Sequence, residues 1–404
     1  MPEVQYDPFS VEAMADPYPL YRELRAHSPI HRLEQYDAWA LSRFDDVWEV
    51  IGNADAFTIV EGPVFERSVI SRAFDADAAA PVDFDRSFAT WDPPGHTAIR
   101  RAMSPHLRPR VIGRLEADVR AMARTHLEAA RERGRLDVAR EYTAPVSVTV
   151  ACRVLGLPDS EAPGMVALVN RSARREPGRP GMTRDGFAAQ GELHAMVASE
   201  VARRRKGGAG PPGVIEALLE LSIDGDPLDD HQVATQLVSL LVGGTETLPK
   251  VMAGGVFELH RHPEQRATLA AEPRLAAFAF EEFMRHQGVL QSVGRTALRD
   301  VSVGSTTFRR GERLFLLLQS ANRDEREFPD AESFDIHRRP ERHLALGQGP
   351  HFCVGAHVAR LEGRVLVEEL LGAISEYDID ASGIERPPSD FQIGYTAMPI
   401  TFSH

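Results

Sequence analysis

The sequence predicts a mainly α-helical fold with a minor β region. Apolar residues recur at helical spacing over most of the chain from His96 onward. Short runs of β-branched and aromatic residues are confined to the first sixty residues, a patch near 294–317 and the C-terminal tail. No internal repeat is visible, and 404 residues exceed what one simple core usually supports, so two domains or one large layered fold is expected.

The elements follow in order. Ile30–Leu33 and Ala38–Leu41 read as strands, and a helical stretch covers Asp45 to Ile51. Periodicity fades between Phe57 and Ala89, and a loop that long in a compact protein is usually functional. Asp118–Gly134 is a helix stopped by its glycine, and Ala144–Leu155 is another. Scattered Pro and Gly over 157–184 suggest an irregular lid. Gly186–Arg205 is helical, and KGGAGPPG at 206–213 is a linker. Asp229 or Asp230 caps a long helix that runs to about His260, with His262-Pro263 beyond its end. A β-rich patch covers Gly294–Phe308 and Leu314–Leu317, and 322–350 is irregular. A last long helix starts just after Cys353, and β-like residues close the chain.

Composition excludes several functions. The N-terminus is acidic and proline-broken, without the basic start and apolar run of a signal peptide. The most apolar stretch, Leu237 to Val242, stops at Gly243-Gly244 and is too short to span a membrane, so no membrane anchor is expected. A net charge of −13 argues against nucleic acid. Two cysteines cannot build a disulfide framework or a four-cysteine zinc site, which favours a reducing, cytoplasmic setting.

The most informative segment is 344–371, LALGQGPHFCVGAHVARLEGRVLVEELL. Gly347, Gly349 and Gly355 surround Cys353, and glycines let backbone approach a flat ligand without a Cβ clash. The helix starting beyond Cys353 aims its positive end at the sulfur and favours thiolate, the form that binds metal. A lone cysteine is more often a buried structural residue, and a nucleophile beside His351 is a second alternative. The glycines, helix start and histidine weigh against the first, and the second leaves the other constellations unexplained.

This loop resembles the haem-ligand signature of the cytochrome P450 family, Phe-Gly-x-Gly-x-His/Arg-x-Cys-x-Gly, with Leu346 where Phe is usual. The resemblance implies one P450 domain over 1–404, β-rich at about 28–60, 289–320 and 376–404. It places haem b between the long central helix and the cysteine-loop helix, with Cys353 as iron ligand. Leu346, Gly347 and Gly355 would line the cofactor, and Leu346 bears on how strongly the thiolate donates.

Three further constellations fit the family. Gly243-Gly244-Thr245-Glu246-Thr247 matches the oxygen-activation motif: the glycines leave room against the haem, Thr247 supplies a hydroxyl and Glu246 an acid. Pro249 cannot donate to the Thr245 carbonyl, so the helix is expected to weaken there and free an acceptor for water. Glu282 and Arg285 match Glu-x-x-Arg, with Arg338 as the expected third member of a buried structural network. His96 and Arg100, with Arg295 and His351, match positions that hold haem propionates in the family.

The resemblance implies a monooxygenase that hydroxylates or epoxidises a small to medium hydrophobic substrate. Expected pocket walls are the 57–89 loop, the 157–190 lid, Leu240, Gly243, Leu290, Gln291, Val293 and Ile393; Gln291 either meets a substrate oxygen or caps backbone. Arg100, Arg101, Arg108, Arg110 and Arg114, with Arg338, Arg339, Arg342, Arg360 and Arg364, are expected to form a basic face beside the thiolate. Such a face would steer an acidic ferredoxin, or a flavodoxin, reduced by a separate NAD(P)H reductase. The enzyme is expected to be a monomer. A peroxide-driven family member and a non-catalytic haem sensor or carrier are the alternatives; neither needs the pair Glu246 and Thr247.

Overall fold

A computed structural model describes residues 4–62, 86–172, 174, 176 and 182–403. Most of the predicted 57–89 loop and part of the 157–190 lid therefore lie outside the described residues.

The organising element is the helix Asp230–Arg261. Asp229 caps it reciprocally: its carboxylate accepts from the Gln232 N–H, and the Gln232 side chain accepts from the Asp229 N–H, both at 2.8 Å. The helix ends at His262, before Pro263, as the sequence indicates. It stays helical through Pro249, so the lost donor does not break the helix. Ala144–Leu155 and Arg184–Arg205 pack along it, and it also touches Ala356–Ala373, the helix beyond Cys353. That last helix lies in turn against Glu116–Arg133 and Ala276–His286. The apolar faces of these helices form the largest core, which includes Leu237, Leu241, Val365 and Leu366.

Boundaries shift by a residue or two where caps decide them. Glu116–Arg133 ends at Gly134, which is left-handed with φ 64° and so makes the predicted stop. Arg184–Arg205 begins two residues early because the Thr183 hydroxyl caps Gly186 N–H at 2.9 Å. One expectation fails: Ala162–Ser172 is helical, inside the stretch read as an irregular lid. Ala162, Met165, Leu168 and Val169 are buried on one face, and packing against Arg184–Arg205 outweighs the local Pro and Gly.

The main sheet has five strands in the order Ile30–Leu33, Ala38–Leu41, Arg313–Leu317, Ser292–Ala297 and Phe57–Thr58. Arg313–Leu317 pairs parallel to Ala38–Leu41, with Leu314 opposite Trp39, and antiparallel to Ser292–Ala297, with Leu314 opposite Arg295. Val293 and Arg295 are two apart on one strand, so they share a face. Near the C-terminus, Pro399–Thr401 pairs on one side with Asp378–Ile379 and on the other with Arg135–Asp137, three residues from the helical half that carry too little pattern to read as a strand. Among the described residues, no helix is long and apolar enough to cross a membrane.

Candidate active site

The cysteine loop is shaped by two left-handed glycines, Gly347 at φ 68° and Gly349 at φ 70°. Gly349 serves the protein rather than a ligand: a Cβ there would stand 2.9 Å from the Gly52 Cα, at the end of the helix Phe44–Gly52. The turn brings the Cys353 N–H to the Leu346 carbonyl at 2.8 Å. Burial pushes the Cys353 thiol up, while the Gly355 N–H bonded to it and the charges of Arg100 and Arg360 pull it down. Cys152 differs in kind: it is buried beside the Met165 sulfur at 3.7 Å, and burial raises its thiol to about 12.

Four basic side chains surround the loop. Arg100 donates to the Phe352 carbonyl at 2.8 Å, and the His96 and His351 rings face each other with centroids 4.2 Å apart. His96 is 2% exposed, yet neither ring nitrogen has a hydrogen-bond partner. Arg295 is 4% exposed and donates to the Gly294 carbonyl at 2.8 Å. Burial depresses His96 to about 4, His351 to about 3 and Arg295 to about 10, with neighbouring positive charge adding to the drop at both histidines. None of the four makes an ion pair with a protein carboxylate among the described residues, although Asp92 exerts a favourable field on Arg295. A buried imidazole with both nitrogens unbonded, as at His96, is rare without a reason. The four side chains fit a ligand that carries two carboxylates above a flat, thiolate-bound ring.

The central helix carries a glycine pair, Gly243 and Gly244, just before Glu246 and Thr247. A Cβ at Gly243 would meet nothing within 4 Å, and one at Gly244 only the Ala151 Cβ at 3.7 Å, so open space lies alongside. Thr247 donates its hydroxyl to the Gly243 carbonyl at 2.9 Å. Glu246 is buried and ion-paired at 2.7 Å with Lys250, one turn on, and Lys250 also donates to Gln392. Lys250 and Gln392 escape a reading of the sequence. An i, i+4 acid–base pair is ordinary on any helix, and only the fold buries it.

The fold brings Glu282, Arg285 and Arg338 together. Arg285 donates to both Glu282 oxygens at 2.7 Å, and Arg338 approaches the same carboxylate at 3.4 Å. Arg285 also bonds the carbonyls of Asn322, Ala331 and Ser333, and Arg338 those of Pro329 and Asp330, stitching down the irregular segment.

Other expectations change. Both polar ends of the Gln291 amide are taken: Tyr21 donates to its oxygen at 2.8 Å, and its nitrogen donates to the Ser389 carbonyl. It therefore follows the backbone-capping alternative. Leu240, Leu290 and Val293 are half-buried, and Ile393 is buried with its N–H on the Val289 carbonyl at 2.8 Å. The basic face is narrower than its arginine count suggests. Arg342 is paired with Glu327, Arg360 with Glu281, and Arg364 with Glu116 and Glu368, while Arg338 is spent on Glu282 and Arg339 lies over the Phe278 ring. Arg101, Arg108, Arg110 and Arg114 are exposed and have no ion pair among the described residues. Their segment retains the positive charge.

The fold and the site define a haem-thiolate oxidoreductase. A model of the family Cytochrome P450 matches residues 190–394. The chain is 33% identical over 401 residues to the putative cytochrome P450 123 of Mycobacterium tuberculosis, covering 99% of this chain and 97% of that protein. It is 31% identical over 404 residues to the vitamin D(3) 25-hydroxylase of Pseudonocardia autotrophica, covering 98% and 96%. The solved structure of cytochrome P450 CYP109Q5 from Chondromyces apiculatus superposes with a TM-score of 0.83 at 27% identity, covering 99% and 98%. The chain belongs to the cytochrome P450 family, and it is a cytochrome P450 monooxygenase.

Proposed function

We propose that the chain binds haem b through Cys353 and uses it to hydroxylate or epoxidise a small to medium hydrophobic molecule. Electrons would come from a ferredoxin-type partner served by a separate NAD(P)H reductase. One observation carries this reading: a half-buried thiol bonded by the Gly355 N–H shares its surroundings with four basic side chains that have no ion pair among the described residues.

His96, Arg100, Arg295 and His351 would hold the two propionates, and the guanidinium groups can do so through paired N–H donors. When bound, the haem supplies the oxygen-activating and electron-accepting chemistry. The chain's own part is to move protons and exclude water. Thr247 holds a proton at Oγ1, now donated to the Gly243 carbonyl, and Glu246 is the buried carboxylate beside it. The glycines leave the space into which oxygen and substrate fit. Leu240, Leu290, Val293 and Ile393 would offer the substrate an apolar wall. One relative hydroxylates vitamin D(3), and a terpenoid, steroid or aromatic suits such a wall.

The partner would dock over Arg101, Arg108, Arg110 and Arg114, where exposed positive charge is left without acidic neighbours in an otherwise acidic protein. The test is the carbon monoxide difference spectrum of the reduced protein. Wild type should give the thiolate signature and Cys353→Ala should lose it. Haem-free purified protein, or an unchanged spectrum in the variant, would overturn the proposal. Product formed with ferredoxin and NAD(P)H, rather than with peroxide alone, tests the electron route.

A further inference from the structure

Glu246 and Lys250 stand four residues apart, so one turn of helix puts both side chains on the same face. Their side chains are 7% and 8% exposed, and a buried carboxylate is costly unless it is paired. Lys250 Nζ donates to Glu246 Oε1 at 2.7 Å and to Gln392 Oε1, using two of its three protons. Glu246 Oε2 accepts no bond from any described residue. One oxygen of the acid is therefore pinned and the other is open.

The clamp is itself fixed from outside the helix. Gln392 pairs with Leu290 in an isolated bridge, and its N–H bonds the Ser389 hydroxyl at 3.0 Å. Gly394 lies directly on the lysine stem, where a Cβ would come within 2.8 Å of the Lys250 Cβ. A flexible four-carbon chain is thus confined along its length as well as at its tip. Neighbouring Leu290 and Ile393 are candidate substrate walls, so the clamp joins the acid to residues proposed to meet substrate.

We propose that Lys250 is a positioning residue for proton delivery. It holds Glu246 by Oε1, so that Oε2 is the oxygen that takes up a proton and passes it toward Thr247, and Gln392 holds Lys250 in place. This rests on Glu246 as the proton-delivering acid, so the experiment includes a variant of that residue.

The haem-loaded protein and its variants Glu246→Gln, Lys250→Met, Lys250→Arg and Gln392→Leu are compared by two measurements. The first is the infrared carboxylate band of the resting protein, assigned to Glu246 as the band missing from Glu246→Gln. The second is the share of electrons that reach product rather than peroxide. Lys250→Met should shift the band and lower coupled product about tenfold, within what one proton-transfer group contributes. Substrate titration should stay unchanged, and Lys250→Arg should restore most of both signals. A wild-type band and coupling in Lys250→Met, beside an uncoupled Glu246→Gln, would overturn the role of Lys250 and leave the acid standing. A fully coupled Glu246→Gln would remove the acid and the proposal together. Should Lys250→Met not fold, a wild-type band and wild-type coupling in Gln392→Leu would overturn the clamp.

Discussion

The rings of His96 and His351 face each other with centroids 4.2 Å apart, and His96 is buried with neither nitrogen bonded. With Arg100 and Arg295 nearby, two imidazoles and two guanidinium groups gather without a carboxylate to pair with. A dianionic group would offset the cost of burying these guanidinium charges.

Arg295→Met should therefore act in opposite directions on the two forms of the protein. The haem-free form should gain about 1–3 kcal/mol in urea unfolding, because a buried cation without a bonded carboxylate is gone. Haem transfer to an acceptor protein should become about tenfold faster, because a charge-assisted hydrogen bond is lost. Destabilisation of both forms would show that Arg295 serves packing alone.

Glu282 is fully buried between Arg285 and Arg338. Glu282→Gln should cost about 3–5 kcal/mol, the usual penalty for leaving buried charge without its partner. The expected result is a large drop in melting temperature or loss of the folded protein. A variant that melts like wild type would remove the network's structural role.

Thr247→Ala should keep the Cys353 spectral signature and the substrate-induced spin change. Peroxide formed per product should rise about tenfold or more as a proton donor disappears. Tight coupling in this variant would end the role given to the hydroxyl.

Charge reversal at Arg108, Arg110 and Arg114 should slow reduction by ferredoxin about tenfold at low salt. The deficit should shrink as salt rises and screens the approach. Reversal at Arg364 should lower stability instead, since it breaks bonds to Glu116 and Glu368. Equal slowing at every ionic strength would place docking elsewhere.

Burial raises the Glu362 carboxyl from 4.5 to about 8, only partly offset by the Ser147 hydroxyl donating at 3.2 Å. The folded protein thus binds a proton that the unfolded chain releases between those values. Stability should fall as pH rises through that window, by an amount on the order of a few kcal/mol. Glu362→Gln should flatten the slope between pH 4.5 and 8. An equally steep slope in the variant would assign it to other groups.

Much of the site was legible because its chemistry is written in short, local patterns. Cys353 with its glycines, Glu246-Thr247 and Glu282-x-x-Arg285 each lie within one loop or helix turn. Arg338 was reachable only through resemblance, and the fold brought it to Glu282. Less legible were residues whose role depends on distant partners. The sequence leaves Gln291 either meeting a substrate oxygen or capping backbone, and only the fold sets Tyr21, 270 positions away, on its oxygen. Arg342, Arg360 and Arg364 looked like free charge until the fold set acids against them.

By itself the sequence determined the helical class, the major helices with their caps and glycine stops, and the thiol, acid and hydroxyl. These follow from periodicity and from residue types whose chemistry does not depend on neighbours far along the chain. Tertiary structure decided which charges are neutralised, which polar groups stay orphaned, and that Lys250 and Gln392 clamp Glu246. Burial and pairing between distant segments set those properties, because a charge is cheap in water and costly once the fold removes it from solvent.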